Sequence, residues 1–440
     1  MFSLKNWQQD KHWQNWVGYV KATPAQKLTP STIDELCAIV KQANTTGKRI
    51  RVTGAAHSFS PVAQPEEIAI SLHHLRGLVS IDAAAREVTL WAGTYLYEIG
   101  DMLAQHGFAL ENMGDIQFQS LAGAVATGTH GTGISLGSVS SQVVAWEWVD
   151  GTGQLHHHRR GEDELSQALT ISLGLLGIFT KLTLKVVPLY GLKEQSCTMS
   201  FADGLASFDQ DVKNHRHMEW FLFPGTNKLQ KKTLTPTTPA AMSQWQKVKD
   251  RFESVIVLNG AFYLMSELAR KHPKFIKTVS KLSADNIPNT VRQGLSYEVF
   301  PKPRGVVFDE SEYFIRYEDF PKVITAINDA LLDDTKGSHF PIEVRTIKGE
   351  AGFLSPTQGC DCVVLSFHVY RGIDSRPYFD WVKTFMQPWS GRPHWGKVLK
   401  LDHHELAKLY PDLPKFMAIR AQYDPNGVFL NTWLHQKFIG

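Results

Sequence analysis

At 440 residues the chain is long enough for two or three domains with sizeable cores, and 43% hydrophobic with 20% charged residues is the balance of a globular protein. A formal charge of +3 is too small to argue for nucleic acid as a partner. Four scattered cysteines (Cys37, Cys197, Cys360 and Cys362) exclude a disulfide scaffold, and the one C-x-C pair lacks the second pair of a zinc site. The N-terminal MFSLKNWQQDKHWQNW has no apolar core, so no signal peptide is read there. The longest apolar-leaning run, Val255 to Met265, contains Asn259 and is too short to span a bilayer, and a cytoplasmic protein without a membrane span is expected.

In chain order, Thr29 to Gly47 reads as a helix, with Thr29 as cap, Pro30 in the first turn, Asp34 and Glu35 near the positive end, and Ile33, Leu36, Cys37 and Val40 as the apolar face. RVTGAAHSFSP (Arg51 to Pro61) follows as a short strand that breaks at Gly54 into small residues, with His57 and Ser58 directly after the turn. So little side-chain bulk lets backbone approach a ligand closely and offer N–H groups to phosphate. An ordinary turn with a surface histidine reads equally well from this stretch alone. Ile68 to Leu72, Val79 to Ile81 and Val88 to Ala92 are expected strands, and Thr94 to His106 an amphipathic helix closed by Gly107.

NMGDIQFQSLAGAVATGTHGTGISLG (Asn112 to Gly137) is the part of the chain richest in Gly, Ser and Thr. It is either a surface loop or backbone packed against a large flat or anionic ligand, and its apolar LAGAVA favours burial. It matches neither a Walker P-loop nor G-x-G-x-x-G opening a helix after a strand, so NAD binding and nucleotide hydrolysis gain no support. Val143 to Val149 and Ile178 to Val187 read as strands, and Pro188 closes an α+β unit. Beyond Leu189 the chain is richer in aromatics and lysine. Helices are expected at Gln244 to Phe252 and Phe320 to Leu332, and strands at Val306 to Val307, Ile342 to Ile347 and Val363 to Val369, as a second α+β domain.

Three constellations in the second half could carry chemistry. In FPIEVRTIK, Glu343 and Arg345 are two apart on a strand and share a face, so they could bind and polarise a hydroxylated substrate; an exposed ion pair is the plainer alternative. In LSFHVYR, Ser366, His368 and Tyr370 share one face. In RPHWGK, Pro393 and Gly396 frame a turn carrying His394, Trp395 and Lys397, and a lysine there could stabilise negative charge. His156 to His158 follow a GTG turn and read as a hydrated hairpin end rather than a metal site, as do His73–His74 and His403–His404. A Ser–His–Asp hydrolase would need a G-x-S-x-G elbow, which is missing.

Taken together, GAAHSFSP, the NMGDI to THGTG stretch, EVRTI and RPHWGK resemble the vanillyl-alcohol-oxidase type of flavoprotein, in its sugar-1,4-lactone and alditol oxidase branch. The resemblance runs from about Trp16 to DPNGVFLN (Asp424 to Asn431). It implies a two-subdomain FAD-binding domain over 16–188, an α+β cap over 189–395, and a segment over 396–440 that returns to the FAD domain. It implies FAD held by Gly54, Ala55, Ala56, His57, Ser58, Asp115, Ser120, Gly123, Thr127, Gly128, Thr129, His130, Ile178 and His394. His57 would be bonded covalently to the flavin 8α-methyl. Glu343, Arg345, Lys397 and His368 would contact substrate and flavin, with no metal. The implied reaction is oxidation of a CH–OH group of a sugar lactone or polyol by hydride transfer to flavin N5. O2 is the expected acceptor, since the small Gly114 stands where the family's oxygen gate sits; a cytochrome, quinone or dye is the alternative. A monomer or small homo-oligomer is expected. Two departures set the chain apart from alditol oxidases: Asp115 replaces their serine, and Ser366 and His368 stand where their strand has His and Thr. Both lean towards lactones or another polyol.

Overall fold

The computed structural model describes Trp7 and residues 10–251, 259–302 and 305–440, with 249–251 and 259 as backbone alone. Most of the N-terminal stretch read for a signal, and part of the Val255–Met265 run, lie outside the described residues. Among those described, no helix is long and apolar enough to cross a membrane.

The first half is built on two small sheets. Gln26–Leu28, Ile68–Ile70 and Ile50–Val52 form a parallel three-stranded sheet with Ile68–Ile70 in the middle. Five antiparallel strands follow in the order Leu155–Arg159, Val143–Val149, Ile178–Lys185, Glu87–Trp91, Leu78–Asp82. One apolar core runs through this half and takes in Leu399, Tyr410, Phe416 and Phe438 from the C-terminal stretch.

The first helix is Ile33–Thr45, capped by Thr32 rather than Thr29. Thr32 accepts a bond from Glu35 N, and the Glu35 carboxylate accepts one from Ser31 N at 2.8 Å, so the T-x-x-E spacing overrides the earlier threonine. LAGAVA is helical: Leu121–Thr127 is capped by Ser120 and ended by Gly128 at φ +75°. The three histidines lie within the Leu155–Arg159 edge strand rather than at a hairpin tip, and His156 bonds Asp150 at 2.7 Å.

The second half is an eight-stranded antiparallel sheet in the order Val291–Leu295, Gly191–Ser200, Lys228–Thr237, His217–Phe223, Ile342–Ile347, Cys362–Tyr370, Phe308–Arg316, Arg392–Pro393. The strand expected at Val306–Val307 begins at Phe308. Successive side chains of a strand point to opposite faces, and here the two faces have opposite chemistry. Ile342, Val344, Leu365, Phe367, Tyr313 and Ile315 form an apolar core with the helices Phe201–Asn214, Phe320–Leu332 and Arg376–Met386. Glu343, Arg345, Ser366, His368, Glu310 and Glu312 occupy the alternate positions. That polar face turns towards the first half, where His130 and Asp115 meet it.

Candidate active site

The Arg51–Pro61 turn is anchored from both ends of the chain. The buried Arg51 guanidinium donates to Phe429 O and Leu173 O at 2.8 and 2.9 Å. Phe59 N donates to Gly396 O at 2.7 Å, and Ser60 Oγ to Trp395 O at 2.7 Å. These bonds bring RPHWGK beside the histidine turn although more than 330 residues separate them in sequence. Ala56 adopts a left-handed φ of +56°, uncommon for a residue with a Cβ, and its carbonyl accepts Trp16 N. His57 then stacks on Trp16, with ring centroids 5.8 Å apart. Burial, reinforced by the Lys397 cation, lowers its pKa to about 4. At neutral pH the ring therefore carries a free lone pair.

A cleft opens along this turn. Among the residues expected to hold a cofactor, Gly54, Ala55, Ala56, His57, Ser58, Ser120, Gly123, Thr127 and Ile178 line it. Tyr95, Gln119, Gly174, Gly177 and Phe429, none of them among the residues expected to hold the cofactor, line it as well. Part of the wall is backbone and small side chains: a Cβ on Gly54 would collide with Ser120 Oγ, and one on Gly123 would stand 3.1 Å from it. Small residues along the wall let backbone approach a large anionic ligand such as FAD. Asp115, Gly128, Thr129, His130 and His394 stand outside its lining. Gly128 serves as a helix end against Ile171, and a Cβ on Gly114 would stand 2.9 Å from His130 O, so this residue is required for close packing.

Glu343, Arg345, His368 and Lys397 on and near the polar sheet face stand outside the lining of this cleft, and Lys397 links the two through its charge on His57. Arg345 is the centre of one cluster, 2.6 Å from Glu343, 3.1 Å from Glu219 and 3.4 Å from Asp115. Burial alone would lower the Arg345 pKa, but these three carboxylates raise it well above its ordinary value. The Glu343–Arg345 pair is thus buried rather than exposed, and Lys232 pairs with Glu219 behind it. Glu310 and Glu312 are the centre of a second cluster that the motifs did not reveal. Glu312 lies 3.1 Å from His130 Nε2 and accepts Ser366 Oγ at 2.6 Å. Glu310 lies 2.5 Å from Lys397 Nζ and 3.5 Å from His368 Nε2. The alternation of Phe308, Glu310, Glu312 and Phe314 on one strand face was a sequence signal for them.

Ligand atoms of His130, Glu312 and His394 fall within 4.8 Å of one another, a spacing that could hold a metal ion. Both His130 nitrogens already face Gly131 O and Glu312, His394 Nδ1 accepts Gly396 N at 2.9 Å, and His394 N donates to Glu312 O at 3.0 Å. Burial lowers the His394 pKa to about 4.

The profile of the D-arabinono-1,4-lactone oxidase family matches residues 182–437, and that of an FAD binding domain matches residues 24–159. L-gulono-1,4-lactone dehydrogenase of Mycobacterium tuberculosis is 32% identical over 424 residues, 96% of this chain and 97% of that protein. Alditol oxidase of a Streptomyces species is 27% identical, covering 97% of this chain and 99% of its own. The crystal structure of cholesterol oxidase from B. sterolicum superposes with a TM-score of 0.82 at 18% identity over 97% of this chain and 96% of that one, which speaks for the fold. The chain belongs to the D-arabinono-1,4-lactone oxidase family, and is an FAD-dependent oxidase or dehydrogenase of CH–OH donors with the vanillyl-alcohol-oxidase-type fold.

Proposed function

We propose that the protein oxidises a CH–OH group of a sugar 1,4-lactone of the D-arabinono or L-gulono kind, with O2 as the final acceptor. The observation that carries this reading is the buried Glu343–Arg345 pair on the polar sheet face, beside His368 and Lys397. The identity to a lactone dehydrogenase over almost the whole chain supports the lactone. Residues 16–188 and 396–440 would hold FAD, and 189–395 would cover it. FAD, once held along the cleft, supplies the acceptor for the hydride.

The remaining work falls to side chains. Glu343 accepts hydrogen bonds from sugar hydroxyls and Arg345 donates to them, which fixes the ring. Glu343 or His368 accepts the bond from the reacting hydroxyl. Arg345 and Lys397 offset negative charge on the substrate oxygen and on the cofactor. The neutral His57 imidazole is in the state needed to attack an electrophilic carbon, which supports a covalent bond to the flavin.

A panel of lactones, polyols and sugars tests the reading. Turnover of D-arabinono- or L-gulono-1,4-lactone with O2 consumed is the expected result. Turnover of xylitol or sorbitol with none of the lactones would reassign the enzyme to polyols, in line with its alditol oxidase relative. Reduction of a dye or cytochrome without O2 consumption would move the acceptor.

A further inference from the structure

Glu310 belongs to none of the motifs, yet it is buried at the junction of two groups assigned to the reaction. Its Oε2 lies 2.5 Å from Lys397 Nζ and its Oε1 3.5 Å from His368 Nε2. Strand register sets Glu310 directly opposite His368. Burial alone would raise the Glu310 pKa, but Lys397 and His368 hold it below the ordinary carboxylate value, so it is ionised. Phe308 meets the His368 ring edge-on at 4.9 Å and Phe340 stacks at 6.1 Å, which fixes its plane. With Nε2 turned to Glu310, Nδ1 is the ring nitrogen left to meet a substrate hydroxyl.

Glu343 is differently placed. Its carboxylate is 2.6 Å from a guanidinium that cannot give up its charge. A carboxylate bound to a permanent cation is a weak proton acceptor, whereas an imidazole backed by a carboxylate is a good one. The other charged groups near His368 are Lys397, which shares Glu310, and Glu312, which is engaged by His130 and Ser366.

We propose that His368, rather than Glu343, takes the proton of the reacting hydroxyl, and that Glu310 is a positioning residue that orients the imidazole through Nε2 and stabilises its cation. The inference rests on the lactone oxidation proposed above and deepens it. The O–H bond breaks and its proton goes to Nδ1 of His368. The O–H electron pair becomes the second bond of the new carbonyl as the C–H bond releases hydride to the cofactor.

The test uses the FAD-loaded protein and the variants Glu310→Gln, His368→Asn and the double variant. NMR of 15N-histidine-labelled protein, without substrate, reads the His368 titration. Anaerobic stopped-flow reads flavin reduction by lactone across pH. Glu310→Gln is expected to move the His368 titration down by about one pH unit or more, because an adjacent negative charge is lost. It should slow reduction about a hundredfold, and by less than about threefold when His368 is already Asn. An unmoved titration, or effects that multiply in the double variant, would overturn the proposal. Where Glu310→Gln does not fold, Glu310→Asp keeps the charge but withdraws it by one methylene from Nε2; it should slow reduction by about tenfold or more in wild type and by less than about threefold when His368 is Asn, and equal slowing in both backgrounds would overturn the proposal. If neither lactone nor polyol reduces the wild-type flavin, the proposed function fails, while the His368 titration still decides whether Glu310 governs that ring.

Discussion

His130 Nε2 lies 3.1 Å from Glu312 Oε1, with side-chain exposures of only 3% and 2%. The histidine comes from the Gly/Ser/Thr-rich stretch of the first half, and the glutamate from the large sheet of the second. The pair therefore joins the two halves across the site. Breaking a buried pair from one side strands the other partner. Glu312→Ala is expected to cost about 3–5 kcal/mol, with loss of FAD loading, whereas Glu312→Gln, which keeps an acceptor for Ser366, should cost less. Denaturant unfolding of both variants checks this.

His57→Ala should leave the polypeptide folded and release yellow flavin into the supernatant on acid precipitation. The wild-type pellet should keep its fluorescence on a denaturing gel. Colour released from the wild type would refute the covalent anchor.

Arg345→Lys retains the charge and loses the planar fork that meets Glu343, Glu219 and Asp115. A fall of about a hundredfold or more in kcat/KM for lactone is expected, with flavin content unchanged. Steady-state kinetics on flavin-normalised protein decides it.

His339 is fully buried, its Nε2 bonds Ser266 Oγ at 2.8 Å, and burial lowers its pKa to about 4. An unfolded histidine takes up a proton near pH 6.5. Between those values the unfolded state binds more protons than the folded one, so the stability this group contributes is complete above about pH 6.5 and is lost as pH falls towards 4. At roughly 1.4 kcal/mol per unit the loss reaches about 3 kcal/mol. His339→Asn should flatten the fall in unfolding free energy from pH 6.5 to 4 by about one proton.

Much of the fold and part of the site could be read from the chain alone, for identifiable reasons. Glu343 and Arg345 were legible as a pair because residues two apart on a strand share a face. Their burial was not, because it depends on Glu219 and Asp115, which only strand pairing and the approach of the two halves bring there. Glu310 and Glu312 were missed for the same reason: their partners His368, Lys397, His130 and Ser366 come from three other segments. The small-residue turn around His57 announced a close approach, but what holds it, Arg51 to Phe429 O and Phe59 to Gly396 O, is long-range. The first helix is a local matter: Thr29 and Thr32 can both cap, and Glu35 at the right spacing selects the second.

Anaerobic mixing of the purified protein with D-arabinono-1,4-lactone and L-gulono-1,4-lactone tests the central claim most directly. Stoichiometric bleaching of the bound flavin by at least one lactone, faster than by xylitol or sorbitol and abolished in Glu343→Ala, is the predicted result. A flavin that stays oxidised with both lactones while a polyol bleaches it, or a protein that carries no flavin, would contradict the account.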